Sequence, residues 1–271
     1  MLPDLAGFGK IHQGALIQTK TGEWWTILFV DSGPFGRFPS LQPVSWSDGW
    51  PIAGIDGRGV VTYRKPNVGE QYEAKDLPAS DEFTGKHLGM QWGWNHNPDS
   101  SKWSLTQRPG YLRIITGKLV KNLTEAPNTL TQRLFAHYDQ SIPTIAVTKM
   151  EVENMKDGDL AGLAVFQDPY AFIGVKMANN SKRIIMVNNG DSIESVSINN
   201  ETTIYLRTTA SNNTKRATFE YSFDNKKFVK LGNEMTMRFS LKIFTGNKFC
   251  LFNYATKSMG GYVDFDWFRV N

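Results

Sequence analysis

Apolar and polar residues alternate along most of this chain with a period near two. Runs such as "GALIQTKTGEWWTILFVD" put every second side chain on one face, and similar runs recur about every eight to twelve residues between Gly, Asn, Asp and Pro. That spacing predicts an all-β protein. The first run reads as two strands turning at Thr21-Gly22, "AGLAVFQDPYAFIGVKM" turns at Asp168-Pro169, and "RIIMVNNGDSIESVSI" turns at Asn188-Asn189-Gly190. Further strands are expected at "TTIYLRTTA", "RATFEYSFD", "MRFSLKIF", "FCLFNYA" and "GYVDFDWFRV". The best helical candidate is the segment around "LTQRLFAHY".

Hydrophobic strands give way to a polar, Pro-containing connector at "RKPNVGEQYEAKDLPASDEF". The expected organisation is a first segment over 1–75, a linker over 76–80 and a second domain over 81–271. The second is long enough for a two-sheet antiparallel sandwich. The first has too few strands to bury its faces and edges unaided, so it is expected to pack on something else.

Composition narrows the function classes. Of 271 residues, eight are Trp, nine Tyr and 17 Phe, an aromatic load that asks for a use. A formal charge of +4, with Lys and Arg scattered among acids, gives no nucleic-acid footprint. No apolar run reaches membrane-spanning length, and no export signal is visible in "MLPDLAGFGK". The single cysteine, Cys250, sits in an apolar strand and reads as a buried small hydrophobe.

Two constellations carry candidate chemistry. In "GMQWGWNHN", Trp92 and Trp94 share one strand face. Burial favours them as core, although Trp beside amides is also how proteins stack on sugars. His96, Asn97 and Trp103, in the following loop, are the better candidates for sugar contact. At the domain ends, Asp81 and Glu82 open the sandwich, while Asp264 and Asp266 lie in its last strand. Terminal strands often pair, so Asp81 and Asp266 could meet and hold a structural calcium; the alternative is a solvated edge. Asp157 and Asp159 in "KDGD" read as turn residues.

"IHQGALIQTKTGEWW" followed by "GPFGRFPSLQPVSWSDGWPIAG" resembles the closing blade of the five-bladed β-propeller of glycoside hydrolase family 43, the β-xylosidases and α-L-arabinofuranosidases. "LGMQWGWNHNPDSSKWSLTQRPGYLRI", "MKDGDLAGLAVFQDPYAFIGV" and "DFDWFRV" are similar to that family's C-terminal concanavalin-A-like β-sandwich. The resemblance implies an inverting exo-site with a carboxylate base, an acid and a third, tuning carboxylate, all on earlier blades. It matches His12 to a histidine near the propeller axis and Arg37 to an arginine that reaches the sugar pocket. Asp31, Asp48 and Glu23 flank turns and are poor substitutes for the catalytic carboxylates.

The resemblance therefore implies a truncated glycosidase of xylan and arabinoxylan degradation. The chain would supply one wall and the accessory sandwich of the site but lack its catalytic carboxylates, and would be inactive alone. The alternatives are a non-catalytic carbohydrate-binding module centred on Trp92 to Trp103, or a chain that self-associates or assembles with the missing blades. Each reading takes a plant cell-wall oligosaccharide or polysaccharide as partner. The parent is expected to be secreted, periplasmic or cytoplasmic in a microbe that degrades plant polysaccharides.

Overall fold

The computed structural model describes residues 11–73, 77–134 and 142–271. Its internal packing divides the chain into two units, Met1–Asp76 and Leu77–Asn271.

In the first unit four strands form an antiparallel meander: β1 (Ile11–Gln18), β2 (Trp24–Asp31), β3 (Arg37–Ser47) and β4 (Trp50–Ala53), paired in chain order. The β1–β2 ladder slips between His12 and Gly14, where Gln13 takes φ 44°. Gly14 follows because the backbones close on each other there: a Cβ would lie 1.7 Å from the Ile27 carbonyl oxygen. Trp25 is buried and meets Tyr63 at 5.8 Å between ring centroids. Gln42, also buried, accepts from Val60 N and donates to Val60 O, which ties the segment after β4 to β3. Leu16, Ile17, Ile27, Leu41, Trp46 and Trp50 remain exposed. So many exposed apolar side chains are unusual on so small a sheet.

The second unit is a two-sheet sandwich. Its strands are β5 (Trp92–Trp94), β6 (Trp103–Ser104), β7 (Leu112–Ile115), β8 (Thr129–Arg133), β9 (Thr144–Glu151), β10 (Asp159–Phe166), β11 (Ala171–Ala178), β12 (Ser181–Asn188), β13 (Asp191–Ser197), β14 (Thr203–Ser211), β15 (Arg216–Ser222), β16 (Val229–Lys230), β17 (Met235–Thr236), β18 (Lys248–Ala255) and β19 (Tyr262–Val270). One sheet runs β13-β12-β11-β10-β18-β8-β5, and the other β16-β15-β14-β9-β19-β7-β6, with β17 added to β15. All pairings between these strands are antiparallel, as expected for a concanavalin-A-like sandwich.

Burial follows the pleat. In β9 and β14 buried and half-buried residues alternate strictly, so one face of that sheet meets the core and the other meets water. Every residue of β10 is buried instead. Its alternate residues Leu160, Ala164 and Phe166 pack with Val120, Leu123 and Ala126, against which Ile243 also lies, so the segment after β7 covers that face. Phe249 and Phe268 meet across the two sheets at 6.0 Å.

Two expectations fail, each for a local reason. "LTQR" is not helical: it lies in β8, whose residues pair with β18 and are mostly buried. Residues 135–141 of that stretch lie outside the described residues. "MRFSLKIF" alternates like a strand but is a turn, with Phe244 N bonded to Ser240 O and an isolated bridge from Ser240 to Thr245. Only Met237 is buried and only Ile243 joins the core, while Phe239, Leu241 and Phe244 stay exposed. Alternation here had no neighbouring strand to satisfy it.

Candidate functional site

His12 sits on β1 opposite Phe29, beside the bulge; its side chain lies outside the described residues. Arg37 opens β3 after a short 3-10 turn, Gly33–Phe35. Gly33 and Gly36 take φ 52° and 81°, and Gly36 N closes the turn on Gly33 O. The turn delivers Arg37 directly across from Asp31, which accepts from its Nε at 3.1 Å, and the guanidinium lies 4.1 Å from the Phe29 ring centroid. Arg37 is thus oriented by a carboxylate and a ring, both on β2.

Two carboxylates of this sheet, Asp31 and Glu23, have structural partners. Glu23, which flanks the turn before β2, is a hub: it accepts from Asn67 N at 2.9 Å and Trp25 Nε1 at 3.1 Å, and pairs with Arg64 at 2.8 Å. The Asn67 N–H, above all, holds its carboxyl below the usual glutamate range. Such a group favours ionisation and is poorly suited to donating a proton.

In the sandwich the Trp residues close an edge. Trp92 packs on Phe83 at 5.9 Å and Phe268 at 5.1 Å, and its indole N–H donates to Asp81 at 2.8 Å. Trp94 meets Trp103 at 5.1 Å, each from the edge strand of a different sheet. Trp103 is half-buried with its indole nitrogen enclosed, which makes it a poor sugar platform despite its loop-like sequence setting.

His96 remains exposed, and its Nε2 lies 2.6 Å from Thr124 O. It borders an open cavity of about 390 Å³ with Asn95, Thr124, Asp168, Lys242 and Ile243. Lys242 and Asp168 form an ion pair at 2.9 Å across it. Amide, imidazole, carboxylate and ammonium groups around one apolar side chain suit a polyhydroxylated ligand, whose hydroxyls both donate and accept.

The chain ends of the sandwich do meet, through backbone bonds between Asp81 and Phe268 at 2.7 and 2.8 Å. Their carboxylates do not. Asp81 shares the inward face of Phe268 and accepts from Phe83 N and Trp92 Nε1. Asp266 is the extra residue of the bulge between Phe265 and Trp267 and pairs with Lys149 at 2.6 Å on the outward face. A calcium needs six to eight oxygens around one point, and these two acids, on opposite faces with donors of their own, do not fit it. No group of three or more His, Cys, Asp or Glu able to hold a metal occurs among the described residues.

Asp264 is buried instead in a structural network: Arg113 binds it with two bonds, at 2.7 and 2.8 Å, and Arg108 adds a third at 3.1 Å while also pairing with Glu151. Asp159 closes the turn expected at "KDGD", its N–H donating to Lys156 O at 3.0 Å. It is fully buried at the start of β10, with Oδ2 accepting from Lys156 N at 2.7 Å. Burial outweighs that bond and pushes its carboxyl up to about 6. The sequence offered one clue, an aspartate directly preceding the apolar run "LAGLAVF". Cys250 is buried as expected, and desolvation pushes its thiol far above the usual range.

Comparison with known proteins follows the same division of the chain. Residues 80–271 match the family described as the β-xylosidase C-terminal concanavalin A-like domain. A β-xylosidase of Formosa agariphila is 35% identical over 96% of this chain and 47% of its own length. Among solved structures, a bifunctional GH43-CE protein of Bacteroides eggerthii superposes with TM-score 0.85 at 38% identity, covering 96% of this chain and 34% of that one. A glycoside hydrolase of family 43 with an engineered active site, displaying both endo-xylanase and exo-arabinofuranosidase activity, superposes with TM-score 0.88 at 33% identity, over all of this chain and 56% of that one. The chain therefore spans roughly a third to just over half of the proteins it resembles.

Proposed function

Because the chain belongs to the family of β-xylosidase C-terminal concanavalin A-like domains of glycoside hydrolase family 43, we propose that it is the non-catalytic part of a glycosidase acting on xylan or arabinoxylan. In this reading its four-stranded sheet is the last blade of a propeller, His12 and Arg37 face the sugar, and the catalytic carboxylates lie outside these 271 residues. The observation that carries the proposal is the commitment of Glu23 to Asn67, Trp25 and Arg64, and of Asp31 to Arg37: these acids hold the sheet together and are not poised for proton transfer. The test is product release from xylotriose and arabinoxylan oligosaccharides. The folded chain is expected to free neither xylose nor arabinose, and release that survives His12→Ala and Arg37→Ala would refute the reading.

A second reading is favoured by the cavity beside His96: the sandwich binds saccharide without cutting it. Retardation of the chain in xylan-containing gels, lost in His96→Ala, supports it; unchanged mobility in both proteins removes it. The exposed apolar residues of the first unit, Trp46 and Trp50 among them, favour assembly with further blades or with a second copy.

A further inference from the structure

We propose that Asn189 is a site of covalent self-modification: in the folded protein, the hairpin between β12 and β13 converts it to aspartate and isoaspartate with loss of ammonia. It belongs to the chain's single Asn-Gly pair. Asn189 and Gly190 form the two-residue loop between the paired Asn188 and Asp191, with φ of 55° and 90°. Both are exposed.

The reaction consumes only water. The backbone nitrogen of Gly190 gives up its proton to hydroxide and attacks Asn189 Cγ. The N–Cγ bond forms, the Cγ–Nδ2 bond breaks, and Nδ2 takes a proton from water and leaves as ammonia. Water then opens the cyclic imide. Breaking the new N–Cγ bond gives aspartate, whereas breaking the bond from that nitrogen to the Asn189 carbonyl carbon routes the chain through Cγ, as isoaspartate. Either product carries a new carboxylate, and nothing is oxidised or reduced.

This loop leaves both reacting groups free to meet. A Cβ built on Gly190 would find nothing within 4 Å, so the attack is uncrowded and the imide and its water have room. Among the described residues the Gly190 N–H donates no backbone hydrogen bond, and none holds the Asn189 side chain. Other asparagines lack this freedom. The N–H after Asn225 goes to Asp224 Oδ1 at 2.8 Å, the one after Asn213 to Ser211 Oγ at 3.1 Å, and the one after Asn188 to Tyr170 O at 2.9 Å. Asn97 precedes Pro98, which has no N–H.

Attack requires rotation about the Asn189 Cα–C bond, which opens the loop. Tyr170 O keeps Asn189 N in place, so the β13 side is the one that moves. β13 is the last strand of its sheet, paired on one side only and exposed from Asp191 to Glu194. Its side-chain tethers lie further on: Glu194 accepts from Gly232 N at 2.8 Å, and Arg183 donates to Ser195 and Ser197 at 3.1 and 2.7 Å. Fraying of such an end costs little free energy. Isoaspartate adds a backbone methylene to a loop of two residues, so the Asn188–Asp191 pair loses its geometry and β13 loosens from this end.

The test is peptide mapping of the folded full chain aged at mildly alkaline pH, with isoaspartate read by a specific methyltransferase. A gain of one mass unit is expected in the peptide that holds Asn189, at a rate within about tenfold of the same peptide free in solution. Amide exchange should quicken from Ser192 to Glu194 in the aged chain and stay unchanged in β10 and β18. Asn189→Gly, which preserves a loop suited to positive φ, should abolish both changes. A rate in the folded chain more than about tenfold below that of the free peptide would overturn the inference. So would the same exchange change in aged Asn189→Gly.

Discussion

At the residue scale, partners decide what a side chain is for. Trp103 looked like a sugar contact because it follows a Pro-, Asn- and Asp-rich loop, yet its ring closes on Trp94 from the opposite sheet. Trp103→Ala should therefore lower stability by about 3 kcal/mol in urea denaturation, an effect a surface platform would not show. Arg113→Met should cost a similar amount, about 3–5 kcal/mol, by leaving the buried Asp264 with Arg108 alone. Asp159 makes a pH prediction. Its folded value of about 6 lies above its ordinary 3.8, so between these pH values the folded protein holds the proton more tightly than the unfolded chain. Ionisation then opposes folding, and stability falls as pH rises through that window. Relative to wild type, Asp159→Asn should gain up to about 3 kcal/mol between pH 4 and pH 7.5; parallel stability profiles would contradict this. None of these roles is legible in a single sequence, because Arg113, Asp264 and Glu151 meet only through strand pairing. The proposed roles of His12 and Arg37 rest on resemblance alone.

At the scale of elements, period-two patterning located most strands because one face of the sheet that holds β9 and β14 meets water. The hairpin turns were equally plain: Asn189 and Gly190 both take positive φ between β12 and β13, as Asn-Gly pairs favour. Patterning failed where burial and pairing separate. "TLTQR" mixes polar and apolar residues, yet it is a strand paired on both sides, between β18 and β5, whose Thr and Gln are buried in the sheet. "MRFSLKIF" has the alternation without the partner. The turn makes a sharp comparison: Leu241, 74% exposed, should tolerate Ser within about 0.5 kcal/mol, whereas Ile243→Ser, two positions on, should cost more than about 1 kcal/mol. Equal costs for both would indicate a strand.

At the scale of the whole molecule, fold class was readable and sheet order was not. β10 pairs with β18 across more of the chain than any hairpin spans, and no local signal specifies that neighbour. The exposed apolar residues of the first unit were foreseeable, since four short strands cannot cover their own apolar faces. Light scattering should accordingly report either association or, in a monomer, preferential proteolysis within residues 11–73. A protease-resistant monomer would contradict the assembly reading. The central claim is that this chain supports a sugar site without performing the chemistry. The most direct measurement is the initial rate of hydrolysis of 4-nitrophenyl β-D-xylopyranoside and α-L-arabinofuranoside by the folded 271-residue chain. The account predicts no rate above the uncatalysed background for either glycoside, and a saturable, protein-dependent rate for one of them would contradict it.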